Sequence, residues 1–230
     1  MNIEVKNTLK PFDYADSMKI LEKRVEDVFW DEKDELLWIL EHNTVYTAGT
    51  NSKEEDVLDK NLKIIKTNRG GKHTLHSPGQ KVIYFVLNLN KRKKDIRVLV
   101  QKIEKCIIEV LKEYKIKSYP DRKNIGIWVG NPKNLMKIAA IGIRVRKWIA
   151  YHGFSLNVNN DLSKYKKITP CGIKDKGVTS LQEMGIKNFH NIDKIIIKVF
   201  KYFSLSVFLK DNGNSAEKLY LDSAIEKLIL

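Results

Sequence analysis

The sequence predicts an α+β fold with a mixed, mostly antiparallel sheet flanked by helices, and three observations carry that prediction. Apolar runs of strand character are grouped; stretches of helical period stand at the ends and in the middle of the chain; and no internal repeat or low-complexity linker divides it. At 230 residues and 43% apolar composition the chain can bury a substantial core. It is expected to form a single domain over 1–230.

The elements follow in order. Asp13 is a plausible N-cap, and Met18, Leu21, Val25 and Val28 form an apolar stripe at helical spacing to about Phe29. Leu36–Leu40 and Thr44–Thr47 read as strands around the polar Glu41-His42-Asn43, with Gly49 ending the second. Leu62–Ile65 reads as a short strand, Arg69–Gln80 (RGGKHTLHSPGQ) as a polar loop and Val82–Leu89 as a buried strand. Leu99, Ile103, Cys106, Val110 and Tyr114 recur at helical spacing, which predicts a helix from about Ile96 to Tyr114. Ile125–Val129 is a further strand and Gly130-Asn131-Pro132 a turn. Lys137–Val145 and Trp148–Val158 look like an antiparallel pair joined through the basic tip Arg144–Lys147. Asp161–Tyr165 predicts a short turn of helix, Lys174–Gly177 a turn, and Ser180–Met184 the start of a helical piece. Ile192–Phe203 fits an amphipathic helix and Ser204–Leu209 a strand. After a break at Asn212-Gly213-Asn214, residues 215–230 read as a closing helix.

Composition narrows the functional classes. No run of about 18 uncharged apolar residues exists, and the N-terminus lacks the apolar core of a signal peptide, so a cytoplasmic protein with no membrane partner is expected. The net charge of +14 is spread along the chain, densest at Lys91–Lys94, and favours acidic partners. No zinc-finger spacing or RNA-recognition signature accompanies it, so a nucleic-acid partner is not expected.

Chemistry concentrates in three segments. In Arg69–Gln80, glycine pairs permit close backbone approach, and Pro78-Gly79 is a turn signal. His73 and His76 stand three apart, but no carboxylate or cysteine lies at a recognisable ligand spacing, so no metal is expected. There is no GxxxxGK[ST] phosphate loop and no other cofactor motif. Of two cysteines, Cys106 falls on the apolar stripe of a helix and reads as core, whereas Cys171 sits in the loop sequence TPCGI. A nucleophilic cysteine needs a nearby positive charge or base. Lys137, at the mouth of the apolar stretch IAAIGI, can be partly desolvated and so made usable in proton transfer, although spacing alone does not bring it to Cys171.

Taken together, the blocks EHNTVYTAG (41–49), RGGKHTLHSPGQ (69–80), WVG (128–130), KIAAIGIRV (137–145), HGFSLNV (152–158), PCGI (170–173) and GVTSL (177–181) resemble the lipoyl(octanoyl) transferases of the biotin/lipoyl protein ligase superfamily. The blocks occur in family order and span most of residues 36–184. The resemblance implies the catalytic-domain fold of that superfamily. It also implies transfer of an octanoyl group from octanoyl-acyl carrier protein to a lysine of a lipoyl domain, on 2-oxoacid dehydrogenase E2 subunits or the glycine cleavage H protein. The family nucleophile falls on Cys171, and the lysine that lowers its pKa on Lys137. Acyl-binding positions fall on Arg69, Gly70, Gly71, Lys72, His73, Thr74, Leu75 and His76, on Ala140, Ile141 and Gly142, and on Gly153, Phe154 and Ser155.

The loop is then expected to form one wall of an acyl tunnel, with His76 near the reacting end. The chain departs from the family pattern at Ser77, where glycine is usual, and in a longer segment Asn131–Met136. Two alternatives remain in view: an ATP-dependent lipoate or biotin protein ligase on the same fold, and a basic nucleic-acid-binding protein.

Overall fold

Two neighbouring apolar strands, whose side chains alternate between two covered faces, form the centre of the molecule. The computed structural model describes residues 2–131, 134–169 and 176–206. From the N-terminus come strand β1 (Ile3–Asn7), helix α1 (Tyr14–Phe29), β2 (Glu35–Leu40), β3 (Val45–Ala48), β4 (Ile64–Lys66), β5 (His73–His76) and β6 (Gln80–Asn88). Helix α2 (Ile96–Glu113) follows, then β7 (Ser118–Pro120), β8 (Ile127–Asn131), β9 (Asn134–Arg146), β10 (Ile149–Asn157), β11 (Gly177–Val178) and α3 (Ile192–Ser206). The main sheet runs β1-β2-β6-β10-β9-β8-β7, with β11 added beside β9. Among the described residues only its β1–β2 and β11–β9 pairs are parallel, so the sheet is mixed and mostly antiparallel.

Burial on both faces explains why β2 and β6 read as continuous apolar runs. Leu37, Ile39, Ile83, Phe85 and Leu87 join Leu99, Ile103, Cys106 and Val110 of α2 and Ile196 and Phe200 of α3 in one cluster. Leu36, Trp38, Leu40, Val82, Tyr84 and Val86 meet Leu21, Val25 and Val28 of α1 in the other. Helix α1 begins where its expected cap puts it, with Asp13 accepting from the Asp16 amide at 3.0 Å, and α2 is capped by Asp95, which accepts from the amides of Arg97 and Val98 at 2.9 and 3.2 Å. The β9–β10 pair forms as expected around the basic tip, and Leu162–Lys167 makes a 3₁₀ turn.

Several expectations are corrected. His73–His76 is not loop but a strand: β5 pairs antiparallel with β3 in a small sheet ordered β4-β3-β5. Its polar composition hid it, because the stabilising partner is remote in sequence. The edge strand β1 carries no alternation strong enough to be read locally. Gly130 and Asn131 belong to β8 rather than a turn, and β8 starts two residues later than expected, leaving Asp121–Gly126 as a loop. Residues 181–185 form turns, with Met184 N–H bonded to Ser180 O at 3.1 Å, rather than a helix. Ser204–Ser206 continue α3 instead of starting a strand. Residues 207–230, with the expected closing helix at 215–230, and Pro170–Asp175 lie outside the described residues. Among the described residues no helix is long and apolar enough to cross a membrane.

One buried ion pair ties the start of β2 to the chain leaving β6. Glu35 pairs with Arg92, their side chains 5% and 0% exposed, and Glu35 also accepts the Asn88 amide at 2.6 Å. Removing one member strands a charge in the interior. Arg92→Met should therefore cost about 3–5 kcal/mol in urea unfolding; a change below about 1 kcal/mol would show that water reaches Glu35.

Candidate active site

Strand β9 places Lys137 where three strands meet. β10 pairs with β9 from Ala139 onward, and β11 takes over alongside Met136 and Lys137, with the Thr179 amide on Lys137 O at 2.9 Å. On the other edge the β8 register slips, so that Ile127 faces Ala139 while Trp128 faces Lys137. Bulges of this kind re-aim side chains. The result is a lysine only 5% exposed. Its Nζ donates to Ile125 O at 3.1 Å and lies 4.7 Å from the centroid of the Trp128 ring. No carboxylate pairs with it among the described residues. An ammonium without a counter-charge, backed by an indole and set on a cavity wall, favours an anion beside it.

That cavity measures about 490 Å³. Lys137 lines it with Arg69, Gly70, Gly71, Lys72, His73, Thr74 and His76, with Ala140, Ile141 and Gly142, and with Gly153, Phe154 and Ser155. Leu75 does not. Alternation along β5 turns it into a separate cluster with Tyr46, Tyr165 and Ile168, where it is fully buried. The three expected segments converge because the Arg69–Lys72 loop is laced to its neighbours: Gly70 N–H bonds Ile143 O at 3.1 Å, and Thr50 N–H bonds Arg69 O at 3.0 Å. A Cβ at Gly142 would stand 3.2 Å from both Arg69 Cδ and Gly70 O, a tight contact that glycine avoids where loop and strand approach.

The cavity has two unlike ends. Ile96 and Ile125, 44% and 51% exposed, mark its mouth, and Lys137 contacts the second of these. Tyr14, His76, Tyr84 and His152 are buried. His76 stacks on Tyr14, bonds Gln80 Oε1 through Nδ1 at 2.7 Å and meets His42 edge-on. It therefore belongs to the buried end of the lining, while the reacting end expected at Cys171 lies outside the described residues. Burial, reinforced by His42, holds His76 down to about 3; burial, then Arg69 and Arg144, does the same for His152. Both imidazoles are neutral at pH 7. His152 occupies the left-handed region at φ 66°, a costly conformation for a non-glycine residue inside a strand, while its Nε2 bonds Asn68 Oδ1 at 2.7 Å.

Tyr14, Tyr84 and His152 are walls that local sequence does not mark as such. The His152-Gly153 interruption of an apolar run is the one visible signal. Ser77 is explained more simply than its departure from the usual glycine suggests: its φ is not positive, so the turn before Gly79 does not require glycine at 77. Cys171 lies outside the described residues. Cys106 is enclosed in the core, where burial raises its thiol far above the ordinary range and leaves it unreactive.

Residues 13–204 match the family model described as the lipoyl protein ligase A/B catalytic domain. An octanoyltransferase of Wolbachia sp. subsp. Brugia malayi is 46% identical over 198 residues, covering 85% of this chain and 96% of that relative. The octanoyltransferase of Ehrlichia chaffeensis is 44% identical over 201 residues, covering 86% and 94%. Among solved structures, a bipartite lipoate protein ligase from Thermoplasma acidophilum, reported together with its E2 lipoyl domain, aligns with a TM-score of 0.67 at 15% identity. That alignment covers 98% of this chain and 93% of the other. Lipoate-protein ligase A bound with ATP aligns with a TM-score of 0.65 at 15% identity, covering 97% and 95%. At such identities these structures share the fold.

The neutral histidines have a consequence for stability. Each titrates near 6.5 when ordinary but at about 3 in the fold. Between those values the unfolded chain binds more protons, so stability falls as pH drops, by about 1.4 kcal/mol per pH unit for each group. In urea unfolding, His76→Gln should flatten the loss of stability between about pH 6 and 4 by roughly that slope. A profile parallel to the unsubstituted protein would mean that His76 is charged in the fold.

Proposed function

The chain belongs to the lipoyl protein ligase A/B catalytic-domain family, and we propose that within it the protein is an octanoyltransferase acting through an acyl-cysteine on Cys171. The donor in this reading is octanoyl-acyl carrier protein and the acceptor a lysine of a lipoyl domain. The observation that carries it is the buried ammonium of Lys137, without a carboxylate partner among the described residues, on the wall of a cavity bordered by the exposed Ile96 and Ile125.

The chemistry balances without a cofactor. The Cys171 thiolate, favoured by the Lys137 charge, attacks the thioester carbonyl; the carbon–sulfur bond to the carrier breaks, and the departing thiolate takes a proton from Lys137. The acceptor lysine's ammonium returns a proton to Lys137 and its amine attacks the octanoyl-cysteine. A carbon–nitrogen bond replaces the bond to Cys171; the nitrogen's remaining surplus proton leaves with the departing sulfur and passes to solvent, so that the Cys171 thiolate re-forms. Thioester exchange is nearly balanced in energy, and formation of the amide drives the sequence forward.

Burying the alkyl tail contributes roughly 5–6 kcal/mol at about 0.8 kcal/mol per methylene. Carrier and lipoyl domains are generally acidic, so the +14 charge raises the encounter rate and makes it salt-dependent.

The test uses purified octanoyl-acyl carrier protein without ATP. Intact-protein and peptide mass spectrometry should find the octanoyl adduct on Cys171, and a lipoyl domain added next should gain the group. An adduct confined to Cys106, or a strict ATP requirement, would overturn the reading. Lys137→Ala should slow acylation by about 10²–10⁴-fold and reduce thiol alkylation at neutral pH; an unchanged alkylation profile would remove its role.

A further inference from the structure

The loop Asp121–Gly126, which lies outside the motif blocks, grips the ammonium end of Lys137 through a chain of contacts that runs by way of Trp128. The Asp121 carboxylate accepts the Lys123 amide at 2.8 Å, the Asn124 amide at 3.3 Å and the Asn124 side-chain N–H at 3.0 Å. These bonds fold the loop into a tight turn. Its next two carbonyls then act in succession: Asn124 O accepts Trp128 Nε1–H at 2.9 Å, and Ile125 O accepts Lys137 Nζ at 3.1 Å. Gly126 follows at φ 137°, and a Cβ there would stand 3.1 Å from Lys137 Cε and 2.8 Å from Ala139 O. Only glycine lets the loop lie this closely on the lysine stem.

The grip has an outer tie. Lys176, the first described residue after Pro170–Asp175, bonds Asp121 Oδ2 at 3.2 Å and lies 4.7 Å from the centroid of the same Trp128 ring that faces Lys137. Bonds from the Asn124 side chain and the Lys123 amide, with lesser help from Lys176, hold the Asp121 carboxyl well below the usual carboxylate range. It is an anion throughout the neutral range. The cationic groups of the loop and its contacts are Lys137, Lys176 and the loop's own Arg122 and Lys123.

We propose that Asp121 is a positioning residue for Lys137, acting through the Ile125 carbonyl and the Trp128 ring to keep the ammonium on the cavity wall. A lysine has four rotatable bonds, and at a cavity mouth bordered by the half-exposed Ile125 its ammonium otherwise gains by turning to water. A displacement of about 1 Å in a reacting group can cost about 10²-fold. The proposal rests on Lys137 supporting the Cys171 nucleophile, and it adds the device that fixes where that support is applied.

The experiment compares Asp121→Ala, Asp121→Asn and Lys137→Ala in octanoyl transfer and in the pH dependence of Cys171 alkylation, with thermal unfolding alongside. Asp121→Ala should lower kcat by about 10- to 100-fold with little change in KM for the carrier, and should move the alkylation midpoint upward in the same direction as Lys137→Ala. Asp121→Asn keeps the acceptor oxygen for the two loop amides and should recover most of kcat. If Lys137→Ala is impaired while Asp121→Ala matches the unsubstituted protein in kcat and alkylation midpoint, the positioning role is overturned and the proposed function stands. If Lys137→Ala is itself unimpaired, both fail. Should Asp121→Ala not fold, Trp128→Phe keeps the ring, loses the N–H to Asn124 and reads the same clamp: an unchanged kcat and alkylation midpoint overturn the proposal.

Discussion

An ammonium group drawn out of water at the junction of three strands is the constraint on which this site depends. Burying a charge costs several kcal/mol unless its surroundings replace the lost hydration. Around Lys137 that replacement comes from a carbonyl and an indole, neither of which cancels the charge. A carboxylate in the same place would have made a more ordinary ion pair and a weaker anion site. The bulge opposite Trp128, the β11 pairing and the closely laid Asp121–Gly126 loop are all geometric conditions for holding a cation this way.

The rest of the cavity divides its work by polarity. The closed end is built from imidazoles kept neutral by burial and from tyrosines, tied by short hydrogen bonds such as His42 Nε2 to Tyr84 Oη at 2.8 Å. The mouth is half-exposed and mixed, with Ile96 and Ile125 beside Lys123 and Asn124. Between them the wall is glycine-rich backbone, which explains how loop, β9 and β10 come so near one another without side chains filling the space. Firm packing behind this wall matters because the Arg69–Lys72 loop has little apolar surface of its own. Its position is set by hydrogen bonds to residues 49–51 and to Ile143.

How much of this was legible varies by element. The helices around Leu21 and Ile103, and the strands β2, β6, β9 and β10, were readable because burial imposes a period that local composition records. β1 and β5 were not, since a short polar strand is stabilised by a remote partner and carries little pattern of its own. Leu75 shows the same limit at the scale of one residue. Within a motif run of eight, the alternation of β5 sends that side chain away from the cavity, and alternation becomes relevant only once the run is known to be a strand.

For this protein, sequence alone determined the α+β class, the main periodic elements, the cap at Asp13, and the motif blocks that mark the family. Those properties are local, or are shared in register with relatives. Tertiary structure decided that Lys137 is buried rather than a solvated strand-end lysine, that His76 lies at the closed end, and that Trp128, Ile125 and Asp121 hold the ammonium. The reason is physical: desolvation, cation–π contact and hydrogen-bond acceptance depend on which atoms meet across the sheet. A one-residue slip between β8 and β9, invisible in composition, chooses those atoms.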